Sequence, residues 1–132
     1  MKVEVLAKNE VIGHSDMQHG DPPMGVVMGK FVPNENYLKY QNLVREYQLY
    51  NGTYGHQDMD KLQVLQGKVD ALDLQARTPH GEMLQPSGGI HITDLSVELD
   101  EEEMEVAILG LSHETYKKYF QSFIDEYENQ FR

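Results

Sequence analysis

Four side chains that could do chemistry, His14, Asp16, His19 and Asp21, fall within eight residues of one another. Imidazole and carboxylate groups are ligands for zinc, manganese and related divalent ions, so a metal site or an enzyme built on this loop is one reading of the stretch. The spacing matches neither the H-E-x-x-H helix nor the calcium-loop pattern. His19-Gly20-Asp21-Pro22-Pro23 also reads as a loop, where polar residues are solvated without binding anything. His56, Asp58 and Asp60 form a weaker cluster that helix capping explains better. A second acidic run, Asp100, Glu101, Glu102 and Glu103, reads as a hairpin tip kept soluble by charge or as a contact for a basic partner.

Nucleophile chemistry finds no foothold. The chain has no cysteine and no G-x-S-x-G turn, and it lacks the glycine-rich phosphate loops. No residue is assigned a catalytic role, and no cofactor is expected. Acidic pairs are numerous enough for a glycosidase-like couple, but spacing singles none out.

The 22 acidic and 11 basic residues leave a formal net charge of −11. This exceeds the roughly 2 to 8 charges that keep a small domain soluble. Nucleic acid and anionic membrane both require a basic footprint and are disfavoured as partners. A protein with a basic surface is the partner such a charge would steer. Zero cysteines exclude a disulfide scaffold, and residues 1–13 show no continuous apolar run, so a bacterial-type cytoplasmic address is expected.

The elements that must position these residues can be read from periodicity. Val3, Val5 and Ala7 alternate as a strand, and Lys8-Asn9-Glu10 turns the chain into a second strand near Val11 to His14. Residues 15–24 read as loop and residues 25–32 as a third strand, entered rigidly through Asp21-Pro22-Pro23-Met24-Gly25. Asn34 is a helix cap, and Tyr37, Tyr40, Leu43, Val44, Tyr47 and Tyr50 form one stripe of a helix over about 34–50. The tyrosines suit either a ligand platform or core positions whose hydroxyls reach the rim. Asp58 caps a short helix over about 58–66 ended by Gly67, followed by a strand at about 69–78; one longer helix is the alternative.

The stretch from Gly89 to Leu111 organises the rest. Ile90 and Ile92 alternate on one parity and Leu95, Val97 and Leu99 on the other, so a β-bulge is expected near Thr93-Asp94. Ser112 then caps a helix over about 113–130. Its stripe of Tyr116, Tyr119, Phe120, Phe123, Ile124, Tyr127 and Phe131 should bury Phe120 and Phe123.

These signals give one α+β domain over residues 1–132: a mostly antiparallel sheet of about six or seven strands, two main amphipathic helices and a short one. The function expected is a non-enzymatic protein-binding module, one concrete version being an immunity-type protein that neutralises a basic toxin. The alternative is an enzyme or metal-binding protein using the His14 to Asp21 loop. A homo-oligomer is compatible with either.

Overall fold

The computed structural model describes residues 1–51, 58–96 and 104–131. The class is α+β, and every strand pairing is antiparallel. Instead of one sheet, the described residues form two of four strands each, in the orders β5-β2-β1-β6 and β3-β4-β8-β7. The strands are β1 (Val3–Ala7), β2 (Glu10–Ser15), β3 (His19–Asp21), β4 (Val26–Lys30), β5 (Val32–Pro33), β6 (Gln75–Arg77), β7 (Gly89–Asp94) and β8 (Met104–Leu109). The helices are α1 (Gln41–Asn51), α2 (Met59–Asp70), α3 (His113–Tyr119) and α4 (Gln121–Asn129).

Local chemistry explains the hairpins. Lys8 and Asn9 both take left-handed backbone (φ 51° and 66°), the geometry of a tight two-residue turn whose twist matches its strands. The chain changes sheet three times, twice at single buried corner residues. Met17, itself at φ 51° and buried, carries it from β2 to β3, and Phe31 carries it from β4 to β5 while its N–H reaches the Met104 carbonyl at 2.9 Å. These corners divide the expected loop at 15–24 and the expected third strand. The loop contains β3 and a 3-10 turn, Pro22–Met24, closed by Gly25 at φ 67°. One core cluster draws on both sheets and on the helices, with Val3, Val5, Val27, Phe31, Tyr37, Val106 and Ile108 fully buried.

The expected helices are present with different bounds. Asn34 does cap, accepting from the Asn36 N–H at 2.9 Å, but it opens a 3-10 helix, Glu35–Lys39, and α1 begins only after Tyr40. Asp58 caps α2 as expected, accepting from the Lys61 N–H. Gly67 does not end α2, which runs on to Asp70, because the glycine faces solvent and loses nothing but propensity there. Asp73, at φ 49°, makes the left-handed turn instead, and the expected strand at 69–78 shrinks to β6.

Ser112 caps α3 through the Thr115 N–H at 3.2 Å. The expected helix over 113–130 breaks at Phe120, which sits outside helical backbone (φ −130°, ψ 33°). Phe120 is buried as expected; Phe123 is only half-buried, because the break turns α4 toward the thin edge strand β3. That approach requires glycine at position 20, where a Cβ would meet the Tyr116 hydroxyl and sit 2.7 Å from the Phe123 ring.

The hairpin of β7 and β8 is the expected one, but it has no bulge. Its register runs unbroken from Gly89 opposite Leu109 to Asp94 opposite Met104. Asp94 occupies the inward position that continues Ile90 and Ile92, and Val97 and Leu99 lie outside the described residues. Among the described residues no helix is long and apolar enough to cross a membrane.

Candidate functional site

The four residues of the expected metal loop are not gathered. His14 lies on β2, opposite Glu4 on β1 and Val32 on β5, in the first sheet. His19 and Asp21 lie on β3 in the second sheet, opposite Met28 and Val26, and Asp16 is exposed between the sheets. Glu4 is occupied by Arg77 at 2.9 Å. Among the described residues no three His, Asp or Glu side chains stand where they could hold a metal ion. Asp100, Glu101, Glu102 and Glu103 lie outside the described residues.

The polar centre of the molecule is one that sequence reasoning missed. Asp94 is fully buried at the end of β7. Its Oδ1 accepts from the Ser96 N–H at 3.0 Å and the Ser96 hydroxyl at 2.6 Å. Its Oδ2 accepts from the Tyr37 hydroxyl at 2.6 Å and from Gln41 Nε2 at 3.0 Å. The Arg45 guanidinium stands 3.7 Å away. Burial alone would raise the Asp94 pKa, but the hydrogen bonds from Ser96, Tyr37 and Gln41 outweigh it and hold the carboxyl below its usual range. Burial, together with the bond to Asp94, pushes the Tyr37 phenol well above its own. Both carboxylate oxygens are thus committed to protein donors, so the group is built to hold the Glu35–Lys39 turn and α1 onto β7.

Gln48 extends this clamp. Its side-chain amide accepts from the Asp94 N–H at 2.7 Å and donates to the Asp94 carbonyl at 3.0 Å. It stands where the peptide group of a neighbouring strand would stand. The tyrosine stripe therefore serves the core and its rim: Tyr37 binds Asp94, and the Tyr47 hydroxyl donates to Gln66 Oε1 at 2.5 Å.

Two clefts flank the clamp along β7. Beyond Ser96, a groove of about 610 Å³ runs between β5, the Glu35–Lys39 turn and Met104. Its lining mixes apolar and polar side chains: Leu38, 66% exposed, and Val32, 38% exposed, stand beside Lys30, Asn34 and Glu35, and Gln41 and Ser96 of the Asp94 network also face it. Before Asp94, a cleft of about 420 Å³ lies against Gly88 to Ile92, closed on its other sides by α1, α2 and the turn that follows α2. A smaller polar junction sits away from both. Glu82 accepts from the Tyr119 hydroxyl and from Lys118 Nζ, and these two bonds pull its carboxyl below the usual range.

The chain matches no protein-family model, and comparison with curated proteins and with solved structures gives no match.

Proposed function

We propose that the chain is a non-enzymatic protein-binding module that takes a partner with a basic surface, and that the groove beside Leu38 is where the partner sits. The observation that carries this is the pairing of exposed Leu38 and Val32 along one groove, away from the core their neighbours fill. Large apolar side chains grouped at the surface mark contact sites more often than singly scattered ones do. Ser96 and Met104 both line the groove, and the chain between them carries Asp100 to Glu103. The acidic run is thus covalently linked to the groove, directly through Met104. An apolar centre with a charged rim is the anatomy of a protein interface, in which the rim governs encounter and the centre governs residence. An immunity-type protein that neutralises a basic toxin, such as a nuclease, in the cytoplasm is the concrete form of this reading.

A photo-reactive residue placed at Leu38 should cross-link a basic protein from extracts of the source cell, whereas one at exposed Gln63 on α2 should not. With that partner in hand, Glu101→Gln, Glu102→Gln and Glu103→Gln together should slow association and flatten its salt dependence while leaving dissociation unchanged. Rim charges act over a Debye length of about 8 Å and add little to a formed contact. Equal cross-linking at both positions, or a partner of acidic surface, refutes the proposal.

A further inference from the structure

We infer that the outer edge of β7 accepts an extended, lysine- or arginine-bearing peptide segment of a partner protein as a fifth strand of the second sheet. This surface is separate from the groove beside Leu38 and extends the protein-binding reading to strand addition.

The argument starts from the ladder. β8 is an inner strand, and the Met104 carbonyl accepts from Phe31 on the β4 side. Residues 104, 106 and 108 therefore turn their peptide groups to β4, and residues 105, 107 and 109 turn theirs to β7. On β7 the same alternation directs Thr93 and His91 to β8. Ile90, Ile92 and Asp94 direct their N–H and C=O groups outward. The bonds between Asp94 and the Gln48 side chain establish this direction independently, since both run away from β8.

At Asp94 the outward pair is satisfied by Gln48. At Ile90 and Ile92 no described residue takes the outward pair, and the cleft of about 420 Å³ lies directly against them. Gln48 thus occupies the first position of an absent strand and leaves the next two open. Unpaired main-chain donors and acceptors at strand spacing recognise an extended backbone and nothing else as well.

The walls say what side chains that backbone should carry. Val44, Tyr47, Leu72 and Leu74 give apolar contact, and Asp70 and Asp73 place two exposed carboxylates at the cleft. No lysine or arginine lines it among the described residues. An alternation of apolar and basic residues is the complement. A strand rises about 3.3 Å per residue, so roughly four or five residues match the stretch Gly88 to Ile92. A second copy of this chain is the poorer occupant, because it would bring another net charge of −11 to the same carboxylates.

The test is a titration of the isotopically labelled protein with the blocked pentapeptide acetyl-Val-Lys-Val-Lys-Val-amide at millimolar concentration, followed by amide NMR and hydrogen exchange. Exchange at the Ile90 and Ile92 amides should slow by about tenfold or more, a factor equivalent to about 1.4 kcal/mol. N-methylation of the central valine should abolish the effect, and glutamate in place of both lysines should weaken it. Asp70→Lys should reverse the preference between the two peptides. Binding that leaves the Ile90 and Ile92 amides unperturbed overturns the inference, as does no binding, or equal binding of the N-methylated peptide. Protection of those amides in the protein alone, with the mass of a dimer by sedimentation, would assign the edge to a second copy instead. Cross-linking at Leu38 is unaffected by any of these outcomes, so the two surfaces stand or fall separately.

Discussion

Asp94→Asn changes almost no volume but breaks the centre of the clamp. One carboxylate oxygen can survive as the amide oxygen, and Ser96 would keep its two bonds to it. The amide NH2 then faces the Tyr37 hydroxyl and Gln41 Nε2, where Oδ2 accepted at 2.6 Å and 3.0 Å. The tyrosine can rotate its hydroxyl to accept; Gln41 meets another donor. Hydrogen bonds to a charged acceptor contribute about 1.5 to 3 kcal/mol each, and removing the buried charge recovers part of its desolvation cost. The net loss should be about 2 to 4 kcal/mol at neutral pH, read as a lower urea midpoint at unchanged slope.

The pH dependence supplies a second check. The Asp94 carboxyl is held below its usual range in the folded state. Its contribution is then fully present above the unfolded value of about 3.9 and is lost as pH falls through the lower folded value. The stability gap between wild type and Asp94→Asn should therefore narrow below about pH 4, because the protonated wild-type group also lacks the charge. A loss under about 1 kcal/mol at pH 7, or a gap that does not narrow in acid, would refute the assignment of Asp94 as a committed charged acceptor.

Other substitutions probe the remaining elements by urea titration. Phe120→Ala should cost about 3 to 5 kcal/mol, because Phe120 is buried, and half-buried Phe123→Ala clearly less; equal costs would mean the break at Phe120 does not divide the helix. Gly67→Ala should stabilise by about 0.5 to 1 kcal/mol, since the position is helical, exposed and has nothing within 4 Å of a new Cβ. A destabilised variant would place Gly67 outside helical backbone. His14→Ala with His19→Ala should leave the melting temperature and its response to added zinc or manganese unchanged, because the two residues lie in different sheets. Stoichiometric metal lost in that double variant would restore the metal reading.

What was legible in the sequence was whatever neighbours in the chain decide. Caps at Asn34, Asp58 and Ser112 and the Lys8-Asn9 turn depend on residues a few positions apart, and the pairing of β7 with β8 joins strands adjacent in the chain. What was hidden depends on distant partners. Tyr37 and Gln41 meet Asp94 across separations of 57 and 53 residues, so the carboxylate could be read only as a fault in the alternation. A buried aspartate and a β-bulge leave the same trace in a hydrophobic pattern, and only the donors distinguish them. The corners at Met17 and Phe31 were hidden for a similar reason. Both residues are apolar and join the one core cluster, and periodicity carries no mark of which sheet a residue enters. The break at Phe120 lies inside an unbroken aromatic stripe, which tertiary packing overrides.

The break has a consequence for how the molecule comes apart. α4 buries none of its residues completely, and its first turn has no side-chain cap. Its strongest support is the half-buried Phe123 against β3, itself a three-residue edge strand exposed along its length. α3, by contrast, is fixed by Tyr116, fully buried with its hydroxyl on the Val26 carbonyl at 3.0 Å. Segments with little burial open at free energies well below that of global unfolding, as cooperative units of their own. α4 should behave as such a unit, peeling away while both sheets remain intact. A protease acting on the native protein would then cut first in the Gln121–Asn129 helix and leave a folded remainder ending near α3.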